Sequence, residues 1–481
     1  MMKESIERLE AEALKLELNG RDRKELQKHA LSLSHRFYDS IKENSAYQPF
    51  DDLELQSILE HPIDEAGADP ADLIQNIEEQ IFEPGLNVPS GRNFGYIPGS
   101  SLESAAIGDY LAAVTNRYAS VYSSSPGAVL LEQRVINWMA DLIGYGETAG
   151  GYHASGGSMA NLTAVVTARD SSGLTPNLYP ESVVYLTRQT HHCVDRALNI
   201  AGLGTCHRRY IEMDERFRMK PVSLRKQIRN DVQAGLTPFM IVASAGSTDT
   251  GAVDPMTDIG EIAKKNNTWF HVDAAYGGFF LLTKEGKKPL KGIELSDSVV
   301  LDPHKGLFLP YGIGALIVKE VGKLVDTHRY SANYMQSNQI NDYVASPADV
   351  SPELSKHFRA MRIWLPLKLH GLKAFRSALH EKILLGRYLW QKIGQIKQIE
   401  TGPAPQLSIF MFRWKPEAGD TNDMNRKLHQ EILKAGRVFL STTEIDGEFF
   451  FRVAVLSVRT HLAEADALIS VIREKISELE R

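Results

Sequence analysis

Two short polar motifs, each following a run of apolar residues, constrain this chain most strongly. The first is HVDAAYGG, in which Asp273 follows His271 by two positions, and the second is DPHKG, which contains Lys305. Both apolar runs, Thr268 to Val272 and Ser298 to Leu301, are short and rich in β-branched residues, which is typical of buried strands in a parallel sheet. Because ligands bind at the carboxyl ends of such strands, we expect the lysine and the aspartate to face one ligand.

A buried lysine together with a buried aspartate favours pyridoxal phosphate as that ligand. Either charge is costly to bury unless it is paired or bonded to a ligand. With pyridoxal phosphate, the lysine amine bonds covalently to the aldehyde, and the aspartate keeps the pyridine nitrogen protonated so that the ring accepts electrons. The 32 positions that separate Asp273 from Lys305 leave room for one connecting segment and a second strand.

A turn of small residues opens a predicted helix further upstream, in HASGGSMANL. Gly156 and Gly157 leave the backbone N–H groups at the start of the helix free of side chains, and Ser158 follows them. Such a helix start is a ready anion site, although the same residue types often form only a cap. Together with Lys305, this turn is predicted to bind the phosphate of the cofactor.

Five motifs in this order resemble the group II pyridoxal-phosphate-dependent amino-acid decarboxylases: NFGYIPGS, SGGSMANL, HHCVDRA, HVDAAYGG and DPHKG. The pattern around Tyr343 is most similar to the aromatic-L-amino-acid decarboxylases, and the resemblance extends from roughly Asn93 to the C-terminus. It implies the fold-type I, aminotransferase-like α/β fold. That fold has a large, mostly parallel seven-stranded sheet domain, an N-terminal helical arm and a small C-terminal α+β domain.

The resemblance also implies roles for residues around the cofactor. His191 matches the family's histidine that stacks on the cofactor ring and approaches the substrate carboxylate. Thr248 is expected near both cofactor and substrate. The further residues expected to contact the cofactor are Ala275, Asp302 and His304. His192 stands where the family commonly has a small hydroxyl residue, a departure that can alter the pocket.

The substrate side is predicted from the same resemblance. Tyr96, Ile97 and Pro98 are expected to line the pocket for the amino-acid side chain. Tyr118 and Ser120 are expected to add to it, within one subunit or across a dimer. Such an aromatic, mostly apolar pocket suits aromatic L-amino acids, and these segments offer no extra basic residue to pair with an acidic side chain. A substrate of the glutamate, aspartate or diaminobutyrate type is the alternative.

A long segment rich in Ser, Asn and Tyr follows Val318 and contains Tyr343. Structureless connections of this length are usually disordered or act as lids. The resemblance implies a mobile catalytic loop in which Tyr343 donates a proton to the α carbon, with His191 as the second choice. A tyrosine here favours decarboxylation over oxidation to an aldehyde. An aldehyde synthase, an aminotransferase or a lyase of the same fold stays open, as does a non-catalytic dimeric scaffold.

Length and composition bound the remaining possibilities. A chain of 481 residues with 43% hydrophobic and 24% charged residues suits two or three globular domains. We predict an N-terminal arm over 1–92, a cofactor-binding domain over 93–370 and a small domain over 371–481. The net charge of −6, without a basic cluster interleaved with aromatics, argues against nucleic acid and anionic membranes as partners.

The first residues and the cysteines predict a cytoplasmic protein. The N-terminal stretch is charged throughout, and no run reaches the apolar length of a membrane span. Cys193 and Cys206 are too few for a disulfide framework. Adjacent histidines without a third ligand at a suitable spacing argue against a metal site. The amphipathic helix predicted from Asp22 to Ile41 packs either on its own domain or, as the resemblance implies, on the second subunit of a homodimer.

Overall fold

The computed structural model describes residues 1–51, 55–60, 63, 65–97, 99–330 and 345–481. The strands are β1 (Tyr47–Gln48), β2 (Gly85–Leu86), β3 (Gly150–Ala154), β4 (Ser182–Leu186), β5 (His207–Tyr210), β6 (Thr237–Ser244), β7 (Trp269–Asp273), β8 (Ser298–Leu301), β9 (Gly314–Val318), β10 (Ile399–Thr401), β11 (Ile409–Trp414), β12 (Ser441–Ile445) and β13 (Glu448–Ala454). The α-helices span Met2–Ala13, Gly20–Ser40, Pro70–Asn76, Glu103–Thr115, Pro126–Ile143, Gly157–Ser171, Cys193–Ile200, Pro221–Gln233, Met256–Lys265, Lys284–Lys287, Pro303–Gly306, Gly322–His328, Ala360–Gly394, Thr421–Ala435 and Leu462–Leu479.

The large sheet has seven strands in the order β3-β9-β8-β7-β6-β4-β5. Strand β9 runs antiparallel to both of its neighbours, and the other strands run in one direction. Strands β3, β4, β8 and β9 are buried along their whole length, because helices cover both faces of the sheet. The predicted fold class, a large and mostly parallel α/β sheet, is confirmed.

The register of the central strands brings their carboxyl ends level. Asp273, the last residue of β7, lies beside Ser244 of β6 on one side and Val300 of β8 on the other. Strand β8 has the predicted bounds, and β7 begins one residue later than the apolar run that predicts it. The loops that follow these strands therefore meet at one edge of the sheet.

A smaller antiparallel sheet, in the order β10-β11-β13-β12, forms the C-terminal part of the chain. Its buried face packs beneath the helices Thr421–Ala435 and Leu462–Leu479. Aromatic side chains fill this core; the rings of Phe412 and Phe451 stack with their centroids 5.0 Å apart. The predicted small C-terminal α+β unit is thus present.

A long helix, Ala360–Gly394, joins the two sheets and crosses the predicted domain boundary at residue 370. It is interrupted at Gly371, whose φ of 71° and ψ of 155° are not helical. No other atom lies within 4 Å of the position that a Cβ would take there, so the backbone angles, and not space, favour glycine. The helix therefore consists of two segments. The first packs on the core of the large sheet, and the second packs first on that core and then, from Leu385 onwards, on the C-terminal core. The two predicted boundaries between the three domains stay predictions.

The N-terminal helices contribute little to the core of the protomer. Met2–Ala13 has no buried residue, and Gly20–Ser40 buries Leu33 alone. The second helix begins after Asn19, whose side chain accepts hydrogen bonds from the first turn, close to the predicted start at Asp22. Nowhere in the described ranges does a helix combine the length and apolar character needed to cross a membrane.

A buried ion pair lies beside β3, between the helix Pro126–Ile143 and the loop that contains Lys356. Lys356 donates from Nζ to Oε1 of Glu132, and both side chains are buried next to His153 of β3. Burial alone would raise the pKa of the Glu132 carboxyl, but the Lys356 ammonium, assisted by His153, lowers it to about 2. Burial lowers the pKa of His153, so its imidazole is neutral at physiological pH.

We predict that this ion pair makes stability depend on pH in acid. The pKa of Glu132 is lower in the folded state than its ordinary value of 4.5. Its contribution is therefore fully present above that pH and is lost as the pH falls towards the folded-state pKa. The unfolding free energy of Glu132→Gln, measured by urea denaturation, should fall less steeply than that of wild type over this range.

Glu132→Gln also leaves the Lys356 ammonium buried without its partner, which should cost about 3–5 kcal/mol at neutral pH. Glu7→Gln is the matched control, because Glu7 pairs with Lys3 on an exposed helix. The unfolding free energy of Glu7→Gln should depend on pH as steeply as that of wild type. If the unfolding free energy of Glu132→Gln also falls as steeply as that of wild type, the assignment to this ion pair is contradicted.

Candidate active site

A cavity of about 330 Å³ lies at the carboxyl edge of the large sheet. Its walls come from the loops and helix starts that follow β3, β4, β6, β7 and β8. Every residue predicted to contact the cofactor lines it: Gly156, Gly157, Ser158, His191, Thr248, Asp273, Ala275, Asp302, His304 and Lys305. Segments far apart in sequence thus converge on one enclosed space.

Lys305 extends into this cavity from the short helix that follows β8. Its Nζ lies 3.0 Å from Oδ2 of the buried Asp302. Burial alone would lower the pKa of the Lys305 amine, but the carboxylates of Asp302 and Asp273 raise it. The other oxygen of Asp302, Oδ1, has no hydrogen-bond partner among the described residues. Asp302 therefore anchors the amine and keeps it charged.

Asp273 presents its carboxylate from the end of β7, and two N–H groups fix its plane. The backbone N–H of Ala275 donates to Oδ1 over 3.1 Å. The side-chain amide of Asn161 donates to Oδ2 over 3.2 Å. The lone pairs that these donors leave free are available to a ligand in the cavity.

The helix Gly157–Ser171 points its N-terminus at the same space. Within the described chain, no side chain caps this start, so its first N–H groups are available to an anion. A Cβ on Gly157 would lie 2.8 Å from Oδ2 of Asp302, so any side chain there requires the Asp302 carboxylate to shift. A Cβ on Gly156 would meet only Cε1 of His304, at an ordinary 3.7 Å. The steric requirement for glycine therefore lies at Gly157.

Two histidines, His191 and His304, complete the walls of the cavity. His191 is half-buried, accepts the Cys193 backbone N–H at Nδ1 over 3.3 Å, and has a pKa lowered by burial, so it presents a neutral ring. Its neighbour His192 is exposed, with its ring centroid 4.2 Å from that of His191. His304 donates from Nδ1 to the carbonyl oxygen of Ile313, which fixes its ring beside Asp302.

Four of the residues predicted for the substrate pocket, Tyr96, Ile97, Tyr118 and Ser120, do not line this cavity in the described protomer. Tyr96 is 59% exposed, and its ring packs 5.6 Å from Phe439. Ile97 is buried in the hydrophobic core. Tyr118 is exposed at the surface, whereas Ser120 is buried. Their predicted roles stay predictions. Pro98 and Tyr343 lie outside the described residues.

Arg452, which sequence reasoning missed, joins the small sheet to the loops of the cavity. From the middle of β13 it donates to Ser441 Oγ over 2.9 Å and to the carbonyl oxygen of Asp249 over 3.1 Å. It also donates to the carbonyl oxygens of Thr248 and Tyr96. The sequence does carry a signal for this residue, because an arginine inside the apolar run FFFRVAV indicates a buried charge that needs partners. Its guanidinium holds the Thr248 loop in place against the C-terminal unit.

These groups fit pyridoxal phosphate. Lys305 offers an amine to an aldehyde, and Asp273 offers a carboxylate to a protonated ring nitrogen. The start of the helix at Gly157 offers N–H groups to a phosphate, and His191 offers a flat neutral ring to a ring face. Each group of the cofactor thus has a chemically matched partner in one cavity.

Comparisons with known proteins agree with this geometry. The family model described as "Pyridoxal-dependent decarboxylase conserved domain" matches residues 53–415. The chain is 32% identical over 469 residues to an aromatic-L-amino-acid decarboxylase of Bacillus atrophaeus, covering 96% of this chain and 97% of that protein. It is 29% identical over 428 residues to a phenylacetaldehyde synthase of Arabidopsis thaliana, covering 85% of this chain and 86% of that one.

The fold is shared with solved structures. The crystal structure of Oryza sativa TDC with PLP and tryptamine superimposes with a TM-score of 0.91 at 22% identity, covering 97% of this chain and 99% of that chain. At this identity the likeness establishes the fold.

The steric difference between the two glycines gives a paired prediction. Gly157→Ala should push the Asp302 carboxylate out of place and weaken pyridoxal phosphate binding roughly tenfold or more, since the cavity loses both the anchor of Lys305 and the close approach of the backbone. Gly156→Ala, the control, should bind within about twofold of wild type, because its Cβ makes an ordinary contact. Fluorescence titration of the apo-proteins measures both. Equal binding by the two variants would contradict the steric argument.

Proposed function

The chain belongs to the pyridoxal-dependent decarboxylases, and we propose that it removes the α-carboxylate of an aromatic L-amino acid to give the amine and carbon dioxide. The observation that carries the proposal is the placement of Lys305 and Asp273 in one cavity, together with a helix N-terminus. The resemblance to an aromatic-L-amino-acid decarboxylase over nearly the whole chain supports the substrate class.

Pyridoxal phosphate, when bound, supplies a ring that accepts the electrons of the bond to the departing carboxylate. In the proposal, Lys305 binds the cofactor through its amine, and Asp273 holds a proton on the ring nitrogen. This proton makes the ring a better electron acceptor, so the carboxylate acts where charge develops. Asp273 is the last residue of strand β7, and Lys305 lies on the short helix that directly follows β8, so regular elements of the central domain hold both groups.

The remaining walls orient the bound molecules. The N–H groups at the start of the helix Gly157–Ser171 bind the phosphate, and His191 covers one face of the ring. Ser158, Thr248, Ala275 and His304 complete the cofactor's surroundings. Because the pKa of His191 is lowered, its ring adds no positive charge beside the pyridine nitrogen.

The charges of the cavity favour an uncharged substrate side chain. Among the described lining residues, Lys305 is the only lysine or arginine. The guanidinium of Arg452 lies behind the Thr248 loop and is engaged with backbone carbonyl oxygens. A side-chain carboxylate such as that of glutamate or aspartate would therefore lack a dedicated cation. Tyr96, Ile97, Pro98, Tyr118 and Ser120 stay the proposed pocket residues, and the first four are apolar or aromatic.

We propose a homodimer as the working form. The exposed N-terminal helices carry apolar side chains that nothing in the described protomer covers, among them Ile6, Leu9 and Leu16. An isolated helix as short as Met2–Ala13 is marginal in water, so a second copy is the natural partner for this face. A cytoplasmic location is proposed as well, because Cys193 and Cys206 are both free thiols.

The first experiment offers the loaded protein a mixture of common L-amino acids plus dihydroxyphenylalanine and identifies products by mass spectrometry while carbon dioxide is followed. One or more aromatic amines, with equimolar carbon dioxide, are expected. Lys305→Ala, the control, should form no amine and lack the absorbance of covalently bound cofactor. Keto acids, or amines from acidic substrates alone, would contradict the proposal, as would an active Lys305→Ala variant.

Tyr343 is proposed as the group that protonates the α carbon after carbon dioxide leaves. Tyr343→Phe should slow amine formation by about 10²-fold or more, the usual contribution of a general acid. It should also raise the share of aldehyde among the products, the activity that the name of the phenylacetaldehyde synthase describes. Tyr330→Phe, which changes a tyrosine before the same segment, is the control. If the amine rate is unchanged in Tyr343→Phe, the proton comes from another group, with His191 as the next candidate.

A further inference from the structure

A chain of buried hydrogen bonds begins at Trp269 and ends on Asp273. Trp269 Nε1 lies 2.9 Å from Ser298 Oγ, and the same oxygen lies 2.8 Å from His271 Nδ1. His271 Nε2 lies 2.8 Å from Asn161 Oδ1, and Asn161 Nδ2 lies 3.2 Å from Asp273 Oδ2. The four residues that precede Asp273 in this chain are almost fully buried. The chain runs from the start of β7 to β8, returns to the middle of β7, continues to the helix Gly157–Ser171 and ends at the last residue of β7.

At both ends of this chain, the direction of hydrogen-bond donation is fixed. An indole nitrogen can only donate, so Ser298 Oγ accepts from Trp269 and its own proton is free to point at His271. At the other end, the amide nitrogen of Asn161 donates both to Asp273 and to the carbonyl oxygen of Gly157, at 3.2 and 2.9 Å. The amide oxygen of Asn161 must then face His271.

His271 is left with a single protonation state that satisfies both neighbours. Its Nε2 carries the proton that Asn161 Oδ1 accepts, and its Nδ1 accepts the proton of Ser298. A second proton on Nδ1 would reverse the bond to Ser298, so that the serine oxygen accepts from both rings and its own proton no longer points at His271. Burial disfavours the charged ring as well, and lowers the pKa of His271 to about 4. Each of the four residues Trp269, Ser298, His271 and Asn161 thus donates a hydrogen bond to the next residue of the chain, and the last bond is donated to Asp273.

We propose that Asn161 and His271, fixed in turn by Ser298 and Trp269, are positioning residues that hold the Asp273 carboxylate aimed at the ring nitrogen of the cofactor. The inference rests on the proposed function, in which Asp273 faces that nitrogen. A donated N–H favours the charged form of a carboxylate and stops it from rotating. Because Ala275 fixes only Oδ1, the Asn161 amide is the group that sets the plane.

One test compares two substitutions at His271. His271→Gln keeps an N–H donor for Asn161 and an acceptor for Ser298, whereas His271→Leu removes both. His271→Leu should weaken pyridoxal phosphate binding to the apo-protein roughly tenfold or more, the usual effect of losing such a supporting contact. It should also move the pH at which the bound cofactor changes its absorbance. His271→Gln should restore most of both properties.

A pair of serines separates positioning from simple stability. Ser298 and Ser296 are both fully buried near the start of β8. Ser296 Oγ bonds to Tyr145 and to the carbonyl oxygen of Ile293, at 2.7 and 2.6 Å, and has no link to Asp273. Ser298→Ala and Ser296→Ala should therefore lower the Tm of the apo-protein alike. Only Ser298→Ala should weaken cofactor binding and shift the absorbance titration.

The possible outcomes separate a failure of the positioning role from a failure of the proposed function. If both serine variants bind the cofactor like wild type, or lose binding equally, the positioning role is overturned while the proposed function stands. The same holds if a folded His271→Leu binds and titrates like wild type. If wild type itself binds no pyridoxal phosphate, the proposed function is overturned and this inference with it.

Discussion

A lysine ammonium and an aspartate carboxylate share one cavity, and the surrounding structure compensates the free-energy cost of burying both charges. Burying either charge alone would cost several kcal/mol. Asp302, at 3.0 Å, compensates Lys305, and the N–H groups of Ala275 and Asn161 compensate Asp273. The neighbouring strands β7 and β8 end at the same edge of the sheet, so the two charges meet without any loop having to hold them. The cofactor's ring then fits between groups that already have fixed directions.

The support extends well behind the residues that line the cavity. Arg452 reaches from the small sheet to the carbonyl oxygens of the Thr248 and Tyr96 loops, and thus couples the C-terminal unit to the site. The Trp269 indole lies at the far end of the hydrogen bonds that terminate on Asp273. Such outer contacts matter because a catalytic group that can rotate loses the preorganisation on which electrostatic stabilisation depends.

The sequence was a good guide wherever the signal was local. The run SVVL predicted β8 with its observed bounds, and the motifs at the strand ends placed Lys305, Asp273 and His191 at one cavity, because parallel strands share an edge. Contacts between distant segments left no such signal. Asn161 reads as an ordinary helix residue until the fold brings it to Asp273, 112 positions away. Arg452 meets Thr248 across 204 positions. Ile97 packs in the core of the described protomer, and its role in the substrate pocket stays a prediction.

The covalent bond between the cofactor and one particular lysine tests the account most directly. The protein is loaded with pyridoxal phosphate, the bond is fixed by borohydride reduction, and the modified residue is located by peptide mass spectrometry. We expect the label on Lys305 in stoichiometric amount. Two other buried lysines, Lys356 and Lys382, are engaged with Glu132 and with the carbonyl oxygen of Thr460, and should stay unmodified. A label on either of these, or none on Lys305, would contradict the assignment of this cavity as the active site.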